Sequence, residues 1–217
     1  MVLMTDVHKD RPLLSTVAGW HRHEIVIKKS RFIATAAHVT SKDDADKVIH
    51  EVRHEFYDAR HHCVALSVGM DIPEQRSSDD GEPSGTAGIP MLEVLRARSL
   101  SNVVVVVSRY FGGVLLGASG LVRAYSSATS EVLDQMQVVE HRWVDVSELE
   151  CDHALAGRVE NFLREWLSQN HGTLVDVRYH SNVNFTIESS HTDDLNKILA
   201  SEFSGKLRAI HVDRVIR

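Results

Sequence analysis

Residues 79–128 read DDGEPSGTAGIPMLEVLRARSLSNVVVVVSRYFGGVLLGASGLVRAYSSA, and the elements predicted elsewhere in the chain are interpreted as support for this segment. It contains two glycine-rich loops, one opening at Asp79 and the other at Arg109, and each leads into a helical pattern. Between them, Val103–Val107 is a run of β-branched residues, a pattern typical of a strand buried on both faces. The stretch therefore predicts the order loop, helix, strand, loop, helix.

Both predicted helices begin close after glycines. The first is predicted over Pro90–Arg98, because proline suits the first helical position. The second follows Gly117 and Gly120 and extends to about Gln135. Backbone N–H groups at a helix start have no partner within the helix, and glycine allows a phosphate to approach them. Two such helix starts predict an anion-binding cleft.

The candidate ligand-binding residues come from these loops and the second helix. They supply backbone N–H groups, hydroxyls, carboxylates, guanidinium groups and an aromatic ring: Asp79, Asp80, Gly81, Glu82, Ser84, Gly85, Thr86, Arg109, Tyr110, Gly112, Gly113, Gly117 and Arg123. Arg109 directly follows a buried strand, so we expect it at the carboxyl edge of the sheet, where a guanidinium suits phosphate. Arg123 either joins it or lies on the surface with its stem over the core.

The acids of the first loop allow two interpretations. In one, Asp79, Asp80 and Glu82 bind a metal or act as general acid and base. In the other, the two aspartates open a solvated turn, for which Asp80-Gly81 is a natural dipeptide. The Ser-Gly-Thr segment at 84–86 likewise either caps a helix or forms an anion cradle.

Other motifs allow competing interpretations. Tyr110 and Phe111 either stack on bases beside positive charge or pack under a loop. The segment 117–120 is similar to the phosphate loop of small-molecule kinases, but the chain lacks a Walker-type Gly-Lys-Ser/Thr, which disfavours kinase activity. The His-His-Cys run at 61–63 lacks the ligand spacing of a zinc site, so a structural role is favoured. Neither a metal nor a cofactor is predicted.

Composition indicates a globular protein. Hydrophobic residues make up 43% and charged residues 25% of the 217 positions, and no apolar run approaches the roughly 18 residues of a transmembrane helix. The two cysteines, Cys63 and Cys151, stand far apart, so we expect reduced thiols and a cytoplasmic location. Charged residues near the start, such as Asp6 and Lys9, are unlike a secretory signal. The net charge of −6 means that nucleic-acid binding would depend on a local basic patch.

The N-terminal part predicts an α+β domain over residues 20–138, after a leader at residues 1–19. Two strands are expected near residues 23–29 and 31–39, followed by a helix capped by Thr40 or Ser41. His61–Val68 is the next predicted strand, and the polar segment Gly69–Ser78 is interpreted as a loop. The order β-β-α-β-α-β-α predicts one sheet with helices on one face.

Residues 139–217 predict a second, smaller domain. Strands are expected at Trp143–Glu150, Gly172–Tyr179, Val183–Glu188 and Leu207–Ile216, with helices after Asp152 and from Thr192. The resulting order, βαββαβ, is that of a ferredoxin-like domain. No glycine-rich loop or polar cluster occurs in this half, so we assign it no site.

Several motifs together resemble the IMPACT family, a widespread group of small cytosolic proteins associated with translational control. DDGEPSGTAG, the valine strand, RYFGG and LVRAYSSA occur in the family's order, preceded by KKSRFIA at Lys28–Ala34 and DARHHC at Asp58–Cys63. The resemblance covers about Ile25 to Leu133. It implies a ribosomal protein S5 domain 2-like fold for the first domain. Family members also carry a C-terminal domain that looks like the last domain of a translocating elongation factor.

Three hypotheses of function follow. The first is a non-enzymatic translational regulator, as the resemblance implies, that binds RNA, the ribosome or another phosphate-rich partner through the cleft. The second is an enzyme that acts on a small phosphorylated substrate or nucleotide with the acids of the first loop. The third is a structural or oligomerisation protein that tolerates Arg109→Ala. The acidic balance weighs against the first hypothesis, and the lack of a clear nucleophile–base pair weighs more heavily against the second. Binding without catalysis is therefore favoured, and the oligomeric state is left open.

Overall fold

The structure, a computed structural model, describes residues 13–217, which divide between His141 and Arg142 into two compact units. Most of the predicted leader, and the segment expected not to be a secretory signal, lie outside the described residues. No helix between Leu13 and Arg217 is long and apolar enough to cross a membrane.

The first unit is built around a five-stranded sheet. In chain order its described elements are β1 (Thr16–Val17), β2 (Trp20–Ile27), β3 (Ser30–His38), α1 (Lys42–Glu55), β4 (His61–Val68), β5 (Glu74–Ser78), α2 (Gly88–Ala97), β6 (Val103–Tyr110), α3 (Ala118–Leu133) and β7 (Val138–Val139). The large sheet has the strand order β2-β3-β6-β4-β5, and each neighbouring pair is antiparallel. The strands β1 and β7 pair separately, so the chain after α3 returns to the start of the same unit.

The valine run lies at the centre of the sheet. β6 continues beyond it to Tyr110 and pairs with β3 on one side and β4 on the other. Its alternate side chains contact different layers: Val105 and Val107 join the core under α2 and α3, whereas Val104 and Val106 join a second core with α1. The prediction of helices on one face only is therefore wrong, because a strand that is apolar on both faces needs a helical layer on each.

The segment predicted as a loop, Gly69–Ser78, is a strand in its second half. β5 pairs antiparallel with β4 and forms one edge of the sheet. Its residues, Glu-Gln-Arg-Ser-Ser, are mostly exposed and show no apolar alternation. Edge strands commonly carry such polar side chains, which protect the unpaired edge from other chains.

The observed starts of α1 and α2 lie within a few residues of those predicted from the sequence. The Ser41 hydroxyl accepts a hydrogen bond from the Asp44 N–H at 3.1 Å, so the predicted cap of α1 is confirmed. α2 begins at Gly88, two residues before Pro90. The start of this helix depends instead on a carboxylate from the preceding loop, described below.

The second unit contains β8 (Trp143–Cys151), α4 (His153–Gln169), β9 (Thr173–Tyr179), β10 (Val183–Ser189), α5 (Thr192–Glu202) and β11 (Ile210–Ile216). Its antiparallel sheet has the order β11-β8-β10-β9, which is the ferredoxin-like arrangement. One core joins the sheet to the two helices through residues such as Leu149, Leu163, Phe185 and Leu195. The α+β class predicted from the sequence is confirmed.

Candidate functional site

A cleft of about 420 Å³ lies between the two glycine-rich loops of the first unit. The turn at residues 81–83 and the segment 115–118, which leads into α3, both line it. Arg60 and His61 contribute from the start of β4, and Arg109 from the end of β6. The sheet, the first loop and the start of α3 therefore converge on one opening.

The first loop is folded around the carboxylate of Asp79. This carboxylate accepts hydrogen bonds from the backbone N–H groups of Gly85 (2.8 Å), Ala87 (3.0 Å) and Gly88 (2.8 Å). Burial raises the pKa of Asp79, but the three hydrogen bonds outweigh it and hold the pKa below its usual value. Backbone N–H groups of this loop thus surround an anion, and that anion is the protein's own carboxylate.

Asp80 attaches the loop to the sheet. One of its carboxylate oxygens accepts from Arg53 at 2.8 Å, and the other accepts from the His62 backbone N–H at 2.7 Å. Its carbonyl oxygen lies 2.8 Å from Nδ1 of His61. Asp80 has a φ of 42°, in the left-handed region, which aspartate tolerates better than most residues. Both aspartates thus serve the loop's own conformation.

Glu82 and Arg109 form a buried ion pair beneath the cleft. Their side chains are 4% and 7% exposed, and Oε1 of Glu82 accepts from Arg109 at 2.5 Å and from the Tyr125 hydroxyl at 2.8 Å. Burial raises the pKa of Tyr125, so this hydroxyl remains a donor. Because the three residues come from the first loop, β6 and α3, the network holds together the elements that form the cleft.

Arg109 lies at the carboxyl end of β6, as expected, but its side chain is not the free guanidinium that was expected to meet phosphate. The residue lies within β6, and its side chain faces the layer of α2 and α3, in alternation with Val107. Its guanidinium carbon lies 5.3 Å from the ring centre of Phe32 and 5.8 Å from that of Phe111. Since Glu82 compensates its charge, Arg109 forms the floor of the cleft and is not a free cation.

The second loop provides no side-chain acceptor for the first turn of the helix that follows it, α3. Gly117 is the N-cap of α3, has a φ of 74°, and offers no side chain to cap the first turn. Gly117 and Ala118 both line the cleft, together with the apolar side chains of Phe111, Leu115 and Leu116. Phe111 is 44% exposed and Leu115 is 83% exposed. Unlike the start of α2, the start of α3 therefore faces a cavity.

Several predicted site residues lie elsewhere. Tyr110 faces the opposite side of the sheet from Arg109 and donates to Asp58 at 2.6 Å, and this hydrogen bond raises the pKa of Tyr110 to about 12. Arg123 is exposed and does not line the cleft. Ser84 is exposed outside the cleft, and the Thr86 hydroxyl donates to the Pro83 carbonyl at 2.6 Å. Of the predicted residues, Gly81, Glu82, Arg109 and Gly117 line the cleft.

Arg60 and His61 line the cleft without being predicted site residues, and Phe111, for which base stacking was one of two interpretations, lines it as well. His61 stands opposite Arg109 in the register of β4 and β6, and this pairing brings it to the cleft. Because a carbonyl oxygen only accepts, the contact with Asp80 places a proton on Nδ1 of His61. Alternation in β4 does predict that His61 and Cys63 share a face, but only the pairing of strands shows what that face meets.

The two cysteines are reduced and buried, and burial raises the pKa of the Cys63 thiol to about 12. Within residues 13–217, no group of three or more His, Cys, Asp or Glu side chains is arranged to hold a metal ion.

Comparisons with known proteins agree with this architecture. The Impact N-terminal domain matches residues 28–133, and a domain of unknown function, DUF1949, matches residues 149–206. The chain is 39% identical to the IMPACT family member YvyE of Bacillus subtilis over 88% of this chain and 87% of that one. It is 38% identical to the IMPACT family member YigZ of Escherichia coli over 83% of this chain and 85% of that one.

A solved crystal structure of a hypothetical protein superposes with a TM-score of 0.61 at 31% identity, covering 94% of this chain and 98% of the other. The matches extend through both units, so the similarity covers the two-domain chain and not the first domain alone. The protein belongs to the IMPACT family.

Proposed function

We propose that the protein is a cytoplasmic, translation-associated regulator that binds the phosphate-rich RNA of the translation machinery through the cleft, without catalysis. The observation that carries this proposal is the pairing of Phe111, an exposed aromatic ring, with the uncapped start of α3 in one cavity. An aromatic platform beside positive charge suits single-stranded nucleic acid, because bases stack while phosphates meet cations or N–H groups. Membership of the IMPACT family supports the link to translation.

The charges at the cleft fit an anion despite the acidic chain. Arg109 is neutralised by Glu82, whereas Arg60 is exposed and forms no ion pair with another residue of the described range. The partial positive charge of the α3 start adds to that of Arg60. The net charge of −6 is therefore offset locally, and this local charge would attract a phosphate while the rest of the surface repels one.

The three acidic residues of the first loop are all held by hydrogen bonds or ion pairs, which disfavours the enzyme hypothesis. Asp79 is held by three backbone N–H groups, Asp80 by Arg53 and a backbone N–H, and Glu82 by Arg109 and Tyr125. None of these carboxylates is free to act as a base or metal ligand. One observation still favours an enzyme as the second candidate: His61 lines the cleft, its Nδ1 contacts the Asp80 carbonyl, and its Nε2 has no hydrogen-bond partner within residues 13–217. Turnover of a phosphorylated metabolite that is lost in His61→Gln would establish that alternative.

Sedimentation with ribosomes from a cell extract, over a salt series, tests the proposal. We expect co-sedimentation that weakens as salt rises and that is lost in Arg60→Ala/Phe111→Ala. The matched control is Arg208→Ala/Tyr57→Ala, which removes an exposed arginine and an exposed aromatic ring from outside the cleft. The control should bind like the unmodified protein. If the unmodified protein stays in the supernatant at low salt, the proposal is wrong.

A further inference from the structure

The tip of the β2–β3 hairpin has an unusual composition for its geometry. Ile27 pairs with Ser30, so Lys28 and Lys29 form a two-residue turn, and their φ angles are 46° and 66°. Two-residue turns with positive φ at both positions strongly prefer Asn-Gly or Asp-Gly, since a β-carbon is disfavoured there. Two lysines in this turn therefore reduce its stability without an evident local gain.

The positive charges of the two lysines are also not paired with a negative charge within the described residues. Both are exposed, and neither ammonium group forms an ion pair with another residue between positions 13 and 217. Next to them, Arg31 is paired with Glu24 at 2.7 Å. Strain retained at an exposed position is a reason to look for a function, and here the retained groups are two positive charges.

The turn is held against the second loop of the cleft. A β-carbon on Gly112 would lie 2.0 Å from the backbone carbon of Lys29, so only glycine allows this approach. The Ser30 hydroxyl accepts from the Gly112 N–H at 3.1 Å and lies 3.4 Å from Arg109. One hydroxyl thus connects the hairpin tip to the loop that carries Phe111 and to the floor of the cleft.

We propose that Lys28 and Lys29 form a second phosphate contact beside the cleft, which binds the phosphodiester backbone of a single-stranded RNA next to the nucleotide held at Phe111. The proposal rests on the proposed function and extends the binding surface beyond the cavity. Two charges on a turn fixed to the cleft loop provide a local basic patch on an acidic chain, and phosphodiester groups are the ligand that such a patch attracts.

Because the lysine turn is strained, one double substitution can separate an effect on RNA binding from an effect on the stability of the fold. Lys28→Asn/Lys29→Gly removes both charges and installs a sequence that favours this turn. If the lysines serve RNA, the variant should melt at a higher temperature than the unmodified protein and yet bind RNA less well. A substitution that only damaged the fold would lower both the melting temperature and the affinity for RNA.

Binding is measured by fluorescence anisotropy with a labelled twelve-nucleotide oligouridylate over a series of salt concentrations. Each phosphate contact to a single strand contributes about 0.7 to the slope of log K against log salt, so we expect the slope to fall by about 1.4. The affinity of the variant at 0.1 M salt should be roughly twentyfold lower than that of the unmodified protein, and the two affinities should become equal near 1 M salt. The matched control, Lys42→Asn/Lys47→Asn, removes two charges from α1 on the other face of the sheet and should keep the original slope.

The outcomes are distinguishable. If the unmodified protein does not bind the oligonucleotide at low salt, both the proposed function and this inference are wrong. If Arg60→Ala/Phe111→Ala weakens binding but Lys28→Asn/Lys29→Gly keeps the original slope, only the inference is overturned. Lys28→Arg/Lys29→Arg retains the charges and should bind like the unmodified protein; a loss of affinity in it would show that charge is not the cause and would also overturn the inference.

Discussion

The two glycine-rich loops of the first unit both lead into a helix, but they end differently. In the first, Asp79 accepts three backbone hydrogen bonds, one from Gly85 within the loop and two from Ala87 and Gly88 at the start of α2. In the second, Gly117 precedes α3 with no side-chain acceptor, and the helix start lines a cleft. Similar sequence patterns thus produce one closed helix start, occupied by the chain's own carboxylate, and one open helix start, which faces a cleft.

Glycines before a helix do not by themselves indicate a ligand site. A helix start attracts a negative charge whatever its source, and a carboxylate from the same chain competes with any external phosphate. The presence of Asp79 nine residues before Gly88 makes the first loop structural. The second loop has no acid between Arg109 and Gly120, so its helix start remains available to a ligand.

The ion pair that joins the two loops should give the largest effect. Glu82→Gln leaves Arg109 buried without its counter-charge, and such a change costs about 3–5 kcal/mol of unfolding free energy. Urea denaturation would be followed by Trp20 fluorescence in a Trp143→Phe/Trp166→Phe background, which reports on the first unit. Glu82→Met/Arg109→Met should recover much of the loss, because both charges are removed. A cost below about 1 kcal/mol would show that the loops do not depend on this pair.

Removing the internal anion tests the closed site. Asp79→Asn keeps the size of the side chain but weakens three charge-assisted hydrogen bonds, so we expect a loss of about 2–3 kcal/mol in unfolding free energy at pH 7. The same denaturation experiment measures it. Ser84→Ala is the control in the same loop, at an exposed position where substitutions change stability by less than about 0.5 kcal/mol. Equal stability of the two variants would contradict the assignment of Asp79 as the anion of α2.

The contribution of Asp79 should also depend on pH. Its pKa is lowered in the folded protein, so its stabilisation is complete above the unfolded-state pKa, about 3.9, and is lost as pH falls through the lower folded-state value. The difference in unfolding free energy between the unmodified protein and Asp79→Asn should stay constant from pH 7 to about pH 5 and shrink below about pH 4. A difference that is unchanged down to pH 2 would rule out this origin.

Placing a carboxylate at the start of α3, as Asp79 does at the start of α2, should give the smallest change in stability. Ser119 is exposed in the first turn of α3, and Ser119→Asp places a carboxylate near the helix start. We expect a gain of about 0.3–1 kcal/mol in unfolding free energy and a loss of about tenfold in affinity for the oligouridylate, because like charges repel. Ser119→Asn, without the charge, should bind nearly as well as the unmodified protein. Undiminished binding by Ser119→Asp would place the ligand elsewhere.

Local patterns predicted much of the fold. The valine run indicated a central strand because both of its faces are apolar, and Ser41 indicated the start of α1 because its hydroxyl is positioned to cap the helix. Strand–helix order alone identified the ferredoxin-like second unit. The edge strand β5 was missed, because an exposed strand has no apolar alternation and its pairing is a long-range property.

The candidate site was only partly predictable. That two glycine-rich loops would lie near the central strand followed from the order of the motifs, since the loops and the strand are contiguous in the chain. Which charges remain available depends on contacts between residues that are distant in the chain. The fold assigned Asp79 to the start of α2, buried Glu82 against Arg109, turned Tyr110 to the far face and brought His61 opposite Arg109. A charged group is neutralised by whichever partner the fold places next to it, and in this site that partner is distant in sequence.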